Sequence, residues 1–580
     1  MPKETPFPHL TSTGHPPSYI EVLTTYKKVF YERVAEGKLR PLVLPYHLYG
    51  CLLLLAYLCI PHTKSLVVYA MRWPILGSIL WFQWKTMWES SSESGAFSFL
   101  AGLMAAWGAV WSVTWLVLYR PQWDAKRVQR RKVVKETFGK TLIAGKDHID
   151  SPLKSNGHTK GHEANGEASS SMHNGSTTAE LDDGLRHRGL ANGTTTAKEI
   201  QSQPGKMGFY TDEAEERDGA EYDYYWESCP EKLSERTLWT MDLLMNFRLP
   251  GWNLAIAPLP DLPPFIKAKL GEPVSDSSRS GTSSVGIRRF DTRHGLLNYR
   301  IRKFVIGYFM LDILKTLLMK DPYYVFGPNT YALPPHLKDL PPFQLKLFRQ
   351  CLNTLTIPIA LEMVFMTVPL TMCLLLGPSV VGLKGEAWYY PSTWGSFSNI
   401  LNKGLNGLWG GWWHQTFRVA FAAPTNYLIE NGYVKARSTE ARLCALFFAF
   451  GISGILHAAG SVTQIALSHP WQAPMFFMLQ AIGIFIQTTI CSYLRPQIRQ
   501  LPKPVRQTAN VLFTWLWLWY TGWLLVEDFA RGGIWLWEPV PISPMRALGF
   551  GSGDDSWWCW GDMGVGWYRG KHWWESGIAL

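Results

Sequence analysis

The sequence predicts an all-α, polytopic helical membrane protein with about eight transmembrane helices, and three observations carry that reading. Aromatic residues make up 14% of the 580 residues. Charged residues make up only 17%, where a soluble domain carries about a quarter. Several uninterrupted apolar runs of roughly 18–24 residues are long enough to cross a hydrocarbon layer about 30 Å thick, where only a helix satisfies every backbone polar group. The formal charge of +11 then reads as Lys and Arg facing anionic headgroups beside those runs. No zinc-finger or RNA-recognition pattern supports nucleic acid as a partner.

Residues 1–40 are Pro-rich, then polar and basic, with no short apolar core of a cleavable signal peptide. Three spans follow, at about 42–61, 65–84 and 96–119, within a first membrane segment of 41–120. The third closes on Tyr119-Arg120-Pro121, where aromatic, cation and helix breaker coincide. The basic run Lys126, Arg127, Arg130, Arg131, Lys132 and Lys135 belongs on the cytoplasmic side. The basic N-terminal segment makes the same claim, which three full spans do not satisfy. Either one of the three is interfacial or re-entrant, or the N-terminus is translocated.

Residues 121–225 hold this juxtamembrane segment and a Ser-, Gly- and Asn-rich insert at 146–220. The insert is too polar to offset the entropy of ordering, so it reads as a disordered linker. Its sequons at Asn174 and Asn192 would be inert on the cytoplasmic side. Residues 226–300 read as an interfacial amphipathic segment around Arg236–Leu244, followed by a Ser- and Gly-rich loop at 272–286.

The core, 301–540, holds spans near 303–319, 352–376, 443–464, 471–494 and 508–527. Glu362 is the acid inside the second of these; its reading stays open between a functional carboxylate and a hydrogen-bonded structural one. Residues 541–580 form a Trp- and Gly-rich interfacial tail. The eight cysteines contain no C-x-x-C, so neither a disulfide framework nor a metal site is expected.

Two histidines stand out, because a polar ring at lipid depth costs free energy unless it has partners. His414 lies in Gly407-Leu408-Trp409-Gly410-Gly411-Trp412-Trp413-His414-Gln415-Thr416-Phe417-Arg418. A helix over 405–421 would put Trp409, Trp413 and Phe417 on one face, with His414 and Arg418 one turn apart beside them. His457 lies in an apolar run whose other strongly polar side chain is Ser453. Such surroundings favour a neutral imidazole, the form that accepts a proton. The small residues Gly451, Gly454, Ala458, Ala459 and Gly460 leave room for a substrate or for close helix approach. A satisfied core histidine and an interfacial Trp helix are the plain structural alternatives. No G-x-S-x-G elbow, H-x-x-x-D, H-E-x-x-H, Walker loop or Rossmann fingerprint is present. The tight histidine pair His158 and His162 falls in the polar insert.

Trp388, Pro391 and Trp394-Gly395-Ser396, the 408–418 block, and Ser453-Gly454-Ile455-Leu456-His457 together resemble the wax-synthase-like branch of the membrane-bound O-acyltransferase superfamily. There a (F/L)WG-x-x-W-(H/N)-Q block precedes S-G-x-x-H. Arg236, Trp239 and Asp242-Leu243-Leu244, with Asp321-Pro322-Tyr323, resemble segments of fungal members that acetylate terpenoid or polyketide hydroxyls. Two departures stand out: Leu405-Asn406-Gly407 replaces the usual Ser-Leu-x-x-Phe start, and Gly411 replaces an Arg.

The resemblance implies a bundle with a reaction tunnel and acyl transfer from acyl-CoA, acetyl-CoA foremost, to a lipophilic alcohol in the endoplasmic reticulum membrane. It implies no bound cofactor. His457 would be the general base and His414 would orient substrate or stabilise negative charge. Trp409, Trp413 and Ser453 would line the substrate site, and Arg418, or Lys403, would meet CoA phosphates. A wax-ester synthase using long-chain acyl-CoA, and a non-enzymatic transporter or scaffold, are the competing readings.

Overall fold

The computed structural model describes residues 16–133, 222–553, 555–561 and 565–580. The polar insert, both sequons and the His158/His162 pair lie outside these residues. The described chain is predominantly helical, with three small sheets.

Four helices are long and apolar enough to cross a membrane: Gly95–Leu118, Pro342–Leu376, Thr439–Val462 and Gln472–Tyr493. Lys503–Thr521 and Trp523–Arg531, bent by 41° at their junction, make a fifth if they form one span. The other expected spans are helical but do not reach that standard. Around 42–61 the apolar helix is Tyr46–Leu58, too short to cross alone. Around 65–84 the helix divides into Leu66–Ala70 and Arg72–Glu89, the second carrying Arg72, Gln83 and Lys85. Around 303–319 it lengthens to Arg293–Leu318 and holds Arg300, Arg302, Lys303, Asp312 and Lys315. Length and composition therefore support four or five spans in the described residues, not eight.

The His457 helix, Thr439–Val462, is the hub of the bundle. The Ser438 hydroxyl accepts from Ala441 N at 3.1 Å and Glu440 sits in the first turn, which satisfies an orphan donor and complements the helix dipole. It packs against Gly95–Val113, Arg418–Glu430 and Gln472–Tyr493. Backbone contact is close: a Cβ on Gly102 would lie 2.0 Å from Ala459 O, and one on Gly454 would lie 2.7 Å from Pro474 Cα. Small residues on both faces thus permit the tight packing that association in lipid requires.

Arg293–Leu318 runs antiparallel to Pro342–Leu370: Arg293 Nε donates to Cys373 O at 2.6 Å, while Arg300 and Lys303 reach Glu362 further along. The amphipathic helix expected around 236–244 is present as Leu233–Met245 and buries Trp239 and Leu243. The strands Arg127–Lys132 and Tyr222–Glu227 pair antiparallel and bring Lys132 opposite Tyr222.

In the 272–286 loop, Asp276–Ser280 forms a helical turn capped by the Ser275 hydroxyl. The tail is more than an aromatic girdle. Its strand Gly577–Ala579 pairs with Gly566–Tyr568 and with Val43–Leu44, so the end of the chain is pinned beside the first membrane segment. Trp567 and Trp573 remain exposed on it.

Candidate active site

The His414 segment is not the continuous helix that spacing predicts over 405–421. Ser398–Gly407 bends at Gly404, whose φ of 58° and ψ of −131° suit glycine. Gln487 accepts from the freed Leu405 N at 2.9 Å, and a Cβ on Gly404 would sit 2.0 Å from its Nε2. A wide π-helical turn, Leu408–Trp412, follows; Trp413 is then extended and a new helix starts at Arg418. π turns leave carbonyls without ordinary helical partners and recur at functional sites. Here side chains satisfy them. Gln415 Nε2 donates to Trp409 O at 3.0 Å and Trp413 O at 2.6 Å. Arg418 Nη1 donates to Gly410 O at 3.3 Å and Gln415 Oε1 at 2.8 Å. His414 and Arg418 are therefore not stacked a turn apart, and Arg418 braces the π turn.

The turn is closed by backbone contact. Gly395 N donates to Trp412 O at 3.1 Å. A Cβ at Gly411 would lie 2.7 Å from Asn399 Cγ, and Asn399 is itself held by Val285 O and Ser396 O. The Arg usual at position 411 in the resembling family has no room here unless Asn399 moves.

His457 lies in mid-helix with Nδ1 2.8 Å from Ser453 O. A neutral imidazole in this geometry donates through Nδ1–H, which leaves the Nε2 lone pair as the basic atom. Its ring centroid is 4.7 Å from Phe477 and 6.2 Å from Phe99. Ser453 enters the site through its carbonyl. Gly460 backs onto Phe99, whereas a Cβ on Gly451 would meet nothing within 4 Å.

His414 stands among Phe365, Trp394, Trp413 and Phe417, with centroids 5.1 to 5.9 Å away. The two histidines are joined by a row of rings: His457 to Phe477 at 4.7 Å, Phe477 to Trp409 at 6.1 Å, Trp409 to Trp413 at 5.3 Å, Trp413 to His414 at 5.4 Å. They lie within electrostatic reach of each other, as Arg248 does of His414. The structure thus brings together His457, His414, Trp409, Trp413 and the Ser453 carbonyl. Among the described residues, His414 Nδ1 and Trp409 Nε1 are buried polar atoms with no hydrogen-bond partner. A small surface cleft elsewhere, lined by Tyr57, His62, Tyr69, Arg72 and Trp123, contains neither His414 nor His457.

Glu362 proves to be paired. Its Oε1 meets Arg300 Nη1 and Lys303 Nζ, each at 3.4 Å, and its Oε2 accepts from Trp394 Nε1 at 2.8 Å. Arg300 also donates to Thr393 Oγ1 and Pro391 O, and Arg248 donates to Pro391 O and Ser392 O, each at 2.8 Å for Arg248. Sequence reading missed Arg248 and Arg300. Their signal was present: guanidinium groups inside or beside long apolar helices rarely lack a partner.

Residues 390–479 match the family model described as "Membrane bound O-acyl transferase family". That window contains Trp394, the whole 408–418 block and Ser453–His457, so the motif-borne resemblance and the family match fall on the same residues. The chain is also similar to the acetyltransferase spyB of Aspergillus fumigatus, at 29% identity over 103 residues. That match covers 17% of this chain and 17% of the relative. No solved structure matches the chain.

Proposed function

We propose that the protein is a membrane O-acyltransferase that moves an acetyl group from acetyl-CoA to a hydroxyl of a lipophilic acceptor. The observation that carries this reading is the histidine pair inside the family-matching segment, with His457 anchored at Nδ1 by Ser453 O and ringed by apolar side chains. His457 Nε2 takes the proton of the acceptor hydroxyl as its oxygen bonds to the thioester carbonyl carbon. Negative charge develops on the carbonyl oxygen and is met by a donor from His414. The intermediate collapses, the C–S bond breaks, and the imidazolium proton returns to the departing thiolate. Atoms and charge balance without an acyl-enzyme or a metal. The unpartnered Nδ1 of His414 and Nε1 of Trp409 supply groups that a bound substrate would satisfy.

The acetyl donor is supported by the similarity to a fungal acetyltransferase, and the terpenoid or polyketide acceptor by the motif resemblance alone. Residence in the endoplasmic reticulum and a tunnel reaching the histidines belong to the same proposal. The test is a microsome assay with radiolabelled acetyl-CoA and palmitoyl-CoA offered side by side with a lipophilic alcohol extract. Label in a short-chain ester is the expected result. Label in a long-chain ester makes the protein a wax-ester synthase, and flux without ester makes it a transporter.

A further inference from the structure

Beside His414 the bundle carries more positive charge than it neutralises. Arg248, Arg300 and Lys303 converge there, and among the described residues the carboxylate paired with them is Glu362. Arg248 and Arg300 spend protons on neutral acceptors, the Pro391 and Ser392 carbonyls and the Thr393 hydroxyl, which leaves their charge in place. Arg300 is only 1% exposed, and its Nε has no hydrogen-bond partner. An excess of cations at low dielectric is costly unless an anion joins it. Arginines are the side chains best suited to hold such an anion when it is a phosphate.

The surroundings indicate the side from which the anion comes. The Lys303 side chain is 38% exposed, so the cluster opens outward there. Arg130, within the basic run expected to be cytoplasmic, bonds Glu386 at 2.6 Å, a few residues before Pro391. Cluster and basic run therefore share a face of the bundle. We infer that Arg248, Arg300 and Lys303 form a phosphate-binding site, and that the phosphate it takes is that of the coenzyme A donor as the thioester reaches the histidines. The choice of coenzyme A over a phospholipid headgroup rests on the proposed acyl transfer; the site itself does not.

The test is binding, measured on the full chain in neutral phosphatidylcholine nanodiscs with radiolabelled coenzyme A, and with pantetheine, which lacks the phosphates, as competitor. Wild type should bind coenzyme A and resist pantetheine. Lys303→Glu, which cancels the excess at an accessible position, should weaken binding tenfold or more, with Lys303→Gln falling between. Equal binding by wild type and Lys303→Glu, or binding by wild type of neither coenzyme A nor phosphatidate, overturns the site. Radiolabelled short-chain phosphatidate, offered in the same nanodiscs, separates the sources: its binding by wild type but not by Lys303→Glu, with no coenzyme A bound, upholds the phosphate site and assigns it to lipid. Coenzyme A binding without ester formation in the microsome assay overturns the acyltransferase reading and leaves the site standing.

Discussion

Trp394 Nε1 donates to Glu362 Oε2 at 2.8 Å, and the same indole lies 5.9 Å from the His414 ring. A carboxylate in one long helix therefore fixes an aromatic wall of the candidate site. Glu362→Gln preserves an acceptor for the indole and should accumulate as folded protein with reduced activity. Glu362→Ala leaves Arg300 buried without its carboxylate, a loss of about 3–5 kcal/mol, and should fall sharply in monodisperse yield. Fluorescence-detected size-exclusion chromatography of the two variants measures this.

In the proposed reaction His414 contributes a donor rather than the base. His414→Asn keeps a side-chain N–H and should retain turnover within about tenfold, whereas His414→Ala should lose about a hundredfold, the scale of one missing oxyanion donor. Initial rates at matched protein level compare the two; equal losses in both would contradict an electrostatic role.

Gly404 holds the bend that starts the His414 segment. Gly404→Ala must accept a backbone conformation that costs about 1–3 kcal/mol in a non-glycine residue, and its Cβ would also meet Gln487. A lowered midpoint of thermal unfolding is expected, with Gln487→Ala relieving only the contact.

Asp261 ties together its own loop region, where its carboxylate accepts from Lys267 Nζ and Ser275 Oγ. Burial pushes its carboxyl up, but hydrogen bonds from Lys267 and Ser275 and the Lys267 charge outweigh it, so its pKa is lowered in the folded protein. A carboxyl lowered on folding contributes stability above its unfolded pKa of about 3.9, and that contribution is lost as pH falls through the folded value. The wild-type unfolding temperature should therefore drop more steeply below about pH 4 than that of Asp261→Asn, which has no such proton to take up.

Both histidines were legible in the sequence, because a lone polar ring in an apolar run stands out in one dimension. The helical layout was legible for the same reason: apolar runs at 96–119, 443–464 and 471–494 became helices within a few residues of those bounds. The break at Trp413 was not. It depends on Gln415 and Arg418 folding back onto Trp409, Trp413 and Gly410 carbonyls, contacts that helical spacing does not encode. The partners of Glu362 were hidden for a similar reason, since Arg300 lies 62 positions away. Length and apolarity identify four or five of the roughly eight spans expected, because helices such as Arg293–Leu318 carry charged residues, Arg300, Lys303 and Lys315 among them, that are paired inside the bundle.

Removal of the acceptor proton by His457 Nε2 is the step on which the proposed reaction turns. It is tested most directly by His457→Ala in microsomes, at expression matched by immunoblot and with chromatographic behaviour like wild type, scored for label passing from acetyl-CoA into a lipophilic ester. Loss of at least about 10²-fold is expected for a positioned general base. Ester formation at the wild-type rate would contradict it.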